Sequence, residues 1–201
     1  MSPSSRKARL AGASGQLECV IDEPAGASVG LAVLCHPHPQ FGGTMDNKVV
    51  QTLARACVQS NWTAVRFNFR GVGGSGGVWD EGRGELADVL SVVGACRNPG
   101  QRLVLAGFSF GAAMAAQAAV QLPDLHRLIL IGPAVSRFDL PGVREDTLVV
   151  HGERDDVVPL AAVLDWARPQ TLPVVVMPGV GHFFHGQLTR LKAIVSSALD
   201  T

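Results

Sequence analysis

Arg102-Leu-Val-Leu-Ala-Gly107-Phe-Ser109-Phe-Gly111-Ala-Ala-Met-Ala-Ala116 is the stretch that decides the fold. Arg102–Gly107 is a short apolar run of the kind that forms a buried strand. Phe110–Leu122 is rich in alanine and reads as a helix. Between them stands Gly107-Phe108-Ser109-Phe110-Gly111, a Gly-x-Ser-x-Gly pentapeptide at a strand-to-helix turn. A serine presented there needs a sharp turn that pushes its hydroxyl outward. The flanking chain passes so close that Cβ atoms two residues away would collide, and glycine at 107 and 111 removes them. The free N–H groups at the start of the helix favour a developing oxyanion. Ser109 is therefore the candidate nucleophile, and the backbone N–H of Phe110 the first candidate oxyanion donor.

Working outward, strand and helix patterns alternate. Arg6–Ala11 and Gln16–Asp22 read as a hairpin closed at Gly12-Ala-Ser-Gly15. Val29–Cys35, Thr63–Asn68, Arg127–Ile131, Thr147–His151 and Pro173–Met177 read as strands. Asp46–Ser60 has helical spacing, with Asp46 as the expected N-cap, and Glu85–Arg97 is also helical. Pro159 opens a further helix. Phe183–Leu199 is expected to be the last. The central strands are continuous apolar runs rather than alternating ones, which marks a mostly parallel sheet covered on both faces. The expected class is α/β, with about seven to eight strands, helices on both faces and no cap. Residues 1–201 read as one domain, with residues 1–5 frayed. In such a sheet ligands bind beyond the carboxyl ends of the strands.

Those strand ends carry the remaining candidates. A serine hydroxyl needs a base. After Pro173–Met177 comes Pro178-Gly-Val-Gly181 and then His182, the preferred base, with His185 as the alternative. A third group must orient that base. The turn after Thr147–His151 offers Glu153, Asp155 and Asp156. After Val29–Cys35 the chain reads His36-Pro-His-Pro-Gln-Phe-Gly-Gly43. Pro37 and Pro39 lack an N–H, which leaves His38, Gln40 or Phe41 as second oxyanion donor. His38 is preferred, with Gln40 second.

Here the sequence resembles the α/β-hydrolase superfamily, and within it small lidless bacterial hydrolases or esterases. His36-Pro-His-Pro39, Gly42-Gly-Thr-Met-Asp-Asn-Lys-Val-Val50 and Phe67-Asn-Phe-Arg-Gly-Val-Gly-Gly-Ser75 carry the resemblance, which spans nearly the whole chain. It implies an α/β-hydrolase fold. It also implies Asp155 as the acid, because a His-Gly-x-x-Asp turn followed by Val-Val-Pro bears the acid in related enzymes. His151 then closes that turn. The order Ser109, Asp155, His182 is the one this fold carries. Dienelactone hydrolases are similar but use cysteine, so their activity does not transfer to a chain with Ser109. The usual His-Gly of the oxyanion loop is His36-Pro37 here.

The expected activity is cleavage of small carboxylic esters through an acyl-enzyme. Thioester or peptide cleavage, or ligand binding without catalysis, are the alternatives. Between Ile131 and Thr147 lie only 15 residues, Gly132–Asp146, too few for a cap, so small or flexible acyl groups are expected.

Composition excludes other classes. Seventeen basic and seventeen acidic residues balance, leaving no field for nucleic acid or anionic membrane. No apolar run reaches the ~18 residues of a membrane span. Met1-Ser-Pro-Ser-Ser-Arg-Lys7 is not followed by an apolar stretch, so no secretory leader is expected and the location is read as cytoplasmic. Cys19, Cys35, Cys57 and Cys96 fit no metal or redox spacing and read as small core residues. Gly71-Val-Gly-Gly-Ser-Gly76 matches Gly-x-Gly-x-x-Gly, but no helix starts at its third glycine and no acid ends the next strand. It reads as a mobile loop, and no cofactor is expected. His36-Pro-His38 and His182-x-x-His185 lack the carboxylates of a hydrolytic metal site, so no metal is expected either. Arg70 and Asp88 are expected to pair at the sheet edge.

Overall fold

The computed structural model describes residues 2–200. Strands β1 (Ser4–Gly12) and β2 (Gly15–Glu23) form the expected hairpin and enter an eight-stranded sheet. The other strands are β3 (Leu31–Cys35), β4 (Thr63–Phe67), β5 (Leu103–Phe108), β6 (Arg127–Ile131), β7 (Leu148–Gly152) and β8 (Val174–Met177). Their spatial order is β1-β2-β4-β3-β5-β6-β7-β8. Only the β1–β2 and β2–β4 pairs are antiparallel; from β4 to β8 every pair is parallel. The helices are α1 (Lys48–Gln59), α2 (Arg83–Cys96), α3 (Phe110–Ala119), α4 (Leu160–Ala167) and α5 (Leu188–Leu199).

The continuous apolar runs have a direct explanation. Successive strand residues point to opposite faces, and both faces are covered. Val33, Leu105, Leu130 and Val149 pack with α2, α3 and α4 through Val89, Ala112 and Val163. Their neighbours Leu34, Val104, Ile129 and Val150 pack on the other face with α1 and α5, through Leu53, Leu191 and Val195. Burial on both faces lets these central strands be apolar at every position, whereas the edge strand β8 leaves Val175 and Val176 exposed.

Several local expectations are corrected. Residues 1–5 are not all frayed: Ser4 and Ser5 pair with Glu23 and Asp22 in β1, and Met1 lies outside the described residues. The N-cap of α1 is Asn47, whose Oδ1 accepts the Val49 N–H at 2.9 Å. Asp46 is drawn instead to Arg66 of β4, at 3.0 Å. The last helix starts at Leu188, not Phe183, because Phe184 (φ 53°) and Gly186 (φ 72°) are left-handed and no helix passes through them. His185 therefore sits in a turn. The Gly71–Gly76 run, expected to be mobile, is tied to β2. Glu18 Oε2 accepts the Gly74 N–H at 2.8 Å and Asn68 Nδ2 at 2.9 Å. The Ser75 hydroxyl accepts the Glu18 N–H at 2.9 Å and donates to Asn68 O at 2.7 Å. Arg70 and Asp88 do pair, through two side-chain hydrogen bonds of 3.0 and 2.8 Å. Residues 132–147 contain neither helix nor strand, so no cap lies there. No helix among the described residues is long and apolar enough to cross a membrane.

Candidate active site

Parallel pairing brings the carboxyl ends of β5, β7 and β8 to one edge of the sheet, and the loops that follow them meet there. Ser109 sits between β5 and α3 at φ 56°, ψ −116°, a strained conformation for a residue with a side chain. The strain is held from both sides. The Ser109 N–H donates to Ile131 O at 2.9 Å, and the carbonyl accepts from Ala112 at 3.0 Å. A Cβ on Gly107 would run into the Gly111 carbonyl, and one on Gly111 into the Cys35 carbonyl. The two glycines thus let strand, turn and helix close on one another.

His182 Nε2 lies 3.0 Å from Ser109 Oγ, and His182 Nδ1 lies 2.7 Å from Asp155 Oδ2. With Nδ1–H donating to the carboxylate, Nε2 carries the lone pair that faces the hydroxyl. The three side chains come from separate loops and are nearly covered, with Ser109 8%, Asp155 7% and His182 3% exposed. The other carboxylate oxygen, Oδ1, accepts the N–H groups of Val157 at 2.9 Å and Val158 at 2.8 Å. Burial opposes the charge on Asp155. The hydrogen bonds from His182 and Val158, with the nearness of both His182 and His151, outweigh it and hold the carboxyl below its usual range.

The alternatives are placed elsewhere. His185 stacks on Phe183, centroids 5.8 Å apart, and makes no hydrogen bond to Ser109 among the described residues. Asp156 is exposed, and Glu153 Oε2 accepts the Gly179 N–H at 2.7 Å. That contact joins the acid-bearing loop to the base-bearing one, as does the Arg154 N–H on Val180 O at 2.9 Å. Among the candidate oxyanion donors, Gln40 gives its N–H to His38 Nδ1 at 3.3 Å and Phe41 gives its own to His38 O at 3.1 Å. The N–H groups of His38 and Phe110 have no acceptor among the described residues.

Two histidines support the site, His36, which the sequence did not single out, and His151, which does close the acid turn as expected. His36 is fully buried, with Nδ1 2.6 Å from Pro37 O and Nε2 accepting the Phe69 N–H at 3.0 Å. It anchors the loop after β3 to the loop after β4. His151 Nε2 donates to Val158 O at 2.9 Å and closes the acid turn, while its Nδ1 is buried without a partner. Burial raises the thiols of Cys19 and Cys57 to about 12, so neither is a thiolate at neutral pH. No group of three or more His, Cys, Asp or Glu suited to a metal occurs among the described residues.

Fold and site together define an α/β-fold serine hydrolase. The family described as serine aminopeptidase, S33, matches residues 30–143, more than half of the chain. Among solved structures, a lidless α/β serine hydrolase from Xanthomonas campestris is 39% identical over 98% of this chain and 94% of its own, with a TM-score of 0.90. An α/β serine hydrolase homologue from Coxiella burnetii is 37% identical, covers 96% of each chain and has a TM-score of 0.84. An uncharacterised protein of Rickettsia prowazekii is 28% identical over 94% of this chain and 87% of its own. The chain belongs to this S33 family of the α/β-hydrolase superfamily.

Proposed function

We propose that this protein hydrolyses small carboxylic esters through an acyl-enzyme on Ser109. One observation carries the reading: the continuous chain Ser109 Oγ to His182 to Asp155, at 3.0 and 2.7 Å. Ser109 Oγ attacks the ester carbonyl as His182 Nε2 takes its proton. Asp155 keeps the imidazole in the tautomer that can do so and stabilises the imidazolium that forms. The unclaimed N–H groups of Phe110 and His38 support an oxyanion role, in which each lowers the barrier by about 3 kcal/mol. His182 then protonates the leaving alcohol. Water attacks the acyl-enzyme by the same route and frees the carboxylic acid.

The absence of helix or strand in residues 132–147 supports an open mouth and hence short substrates. The test is a fluorophosphonate probe together with p-nitrophenyl acetate and butyrate. Wild type is expected to be labelled and to turn both esters over, and Ser109→Ala to do neither. Labelling that survives in Ser109→Ala would sink the reading. Thioesters and aminoacyl anilides belong in the same panel, because the triad does not fix the leaving group. Turnover of anilides alone would replace the ester by a peptide bond.

A further inference from the structure

Beside Ser109 stands a wall of rings that the chemistry above leaves unused. His38 is its centre. The His38 ring lies 4.6 Å from Phe41, 4.5 Å from Trp79, 5.2 Å from Phe110 and 6.1 Å from Phe138, centroid to centroid. These residues arrive on separate loops, after β3, β4 and β6, with Phe110 directly following the candidate nucleophile. Phe110 also packs against Trp79 at 5.2 Å and Phe138 at 5.0 Å, which ties the wall to the elbow. Phe41 is 73% exposed. A phenyl ring left in water adds little to the core, so its value lies in what it can cover.

Arg137 completes the wall. Its guanidinium lies over the Phe41 ring, 5.8 Å from the centroid. Arg66, Arg83, Arg97, Arg144 and Arg168 each meet a carboxylate. Arg137 is exposed and meets none among the described residues. Burial, and after it the charge of Arg137, lower the pKa of His38, which favours its neutral form. The wall then offers flat aromatic surface with one unpaired cation at its rim. A guanidinium fork matches a carboxylate bidentately, and rings pack against a planar group.

Resting on the hydrolase reading, we propose that this wall is a subsite for an aromatic group bearing a carboxylate, with Phe41 and Trp79 against the ring and Arg137 on the carboxylate. The substrates of this enzyme are then esters of aromatic acids or phenols that carry a second, free carboxylate.

Two matched pairs test it. One is the mono-p-nitrophenyl ester of terephthalic acid against p-nitrophenyl 4-methylbenzoate. The other is 4-carboxyphenyl acetate against 4-methylphenyl acetate. The first places the charge on the acyl side and the second on the leaving side. In at least one pair, the ratio of kcat/KM for anionic over neutral substrate is expected to fall about fivefold in Arg137→Gln, the size of one charge-assisted contact at an open surface. Arg137→Lys should restore part of it. A ratio unchanged in both pairs overturns the subsite while leaving the hydrolase reading intact. Should wild type turn over p-nitrophenyl acetate but none of the four esters, the subsite is overturned; should it turn over none of the five, the hydrolase reading fails instead. The subsite is then decided by calorimetry of 4-methylbenzoate binding to wild type and Arg137→Gln, where equal affinity or no binding overturns it.

Discussion

His151 Nε2 stands 3.4 Å from Asp155 Oδ2, the same oxygen that meets His182 Nδ1 at 2.7 Å. Two imidazoles thus face one carboxylate oxygen in a buried turn. Only His182 reaches Ser109. His151 gives its Nε2–H to Val158 O, and Val158 returns its own N–H to Asp155 Oδ1 at 2.8 Å. Burial lowers the pKa of His151, which keeps it neutral with the proton on the nitrogen that donates. Its role is to hold the turn that presents Asp155.

Replacing His151 should therefore act through position rather than charge. His151→Ala is expected to lower kcat by about 10- to 100-fold with little change in KM, the effect of a small misplacement of a reacting group. Asp155→Asn, which removes the orienting charge itself, should lower kcat by about 10⁴-fold. His151→Gln, whose amide can still donate to Val158 O, should recover part of the loss. Steady-state kinetics on p-nitrophenyl acetate decides this, and wild-type kcat in His151→Ala would remove His151 from the positioning of the acid.

The elbow makes a second prediction. A methyl group at position 111 has nowhere to go, because the Cys35 and His36 carbonyls occupy its space. Gly111→Ala is expected to destabilise the fold by about 3 kcal/mol, at the upper end of overpacking effects, since backbone rather than a side chain must yield. Urea unfolding followed by tryptophan fluorescence measures it. A loss under about 1 kcal/mol would mean that the elbow relaxes more easily than its contacts imply.

The site was more legible than its supports, for a physical reason. A parallel sheet sends every strand end to one edge, so Ser109, His182 and the turn bearing Glu153, Asp155 and Asp156 could be located once the apolar runs were seen, and the family resemblance singled out Asp155. The bracing contacts depend on how loops curve back, which no period encodes. Glu18 on β2 reaches Gly74 fifty-six positions away. Asp46 is the expected cap of α1, but Arg66, on a strand distant in sequence, holds it and Asn47 caps the helix. Phe183 and Phe184 looked like the apolar face of a final helix. The left-handed backbone at Phe184 and Gly186 is what breaks it. The wall around His38 gathers three loops, so nothing in any one of them announced it.

Acid should weaken the fold through His36. Burial pushes its pKa down from 6.5 to about 4, and the hydrogen bond to Pro37 O offsets that only in part. The unfolded chain then binds a proton first, so stability is lost as pH falls from about 6.5 through about 4. The lost contribution amounts to about 3 kcal/mol. His36→Gln should remove this component. Between pH 7 and 4.5 its unfolding free energy should fall by about 2 kcal/mol less than that of wild type. Equal losses in both proteins would show that other groups carry the acid sensitivity.

The Arg70–Asp88 pair separates two meanings of stabilisation. Asp88 is fully buried and accepts from Arg70 Nε, Nη2 and the backbone N–H, at 3.0, 2.8 and 3.0 Å. The pair fastens the loop after β4 to α2. Removing two charges from water is costly, and their attraction only roughly offsets that, so the intact pair adds little net stability. Breaking it is another matter, because the survivor stays buried and uncompensated. Asp88→Leu alone is expected to destabilise by about 3–5 kcal/mol, whereas Arg70→Met with Asp88→Leu should return to within about 1 kcal/mol of wild type. The double variant loses the backbone hydrogen bond at Arg70, which is why full recovery is not expected. Chemical denaturation of both singles and the double closes the cycle. A double variant as unstable as the worse single would show that the pair contributes stability of its own rather than register between loop and helix.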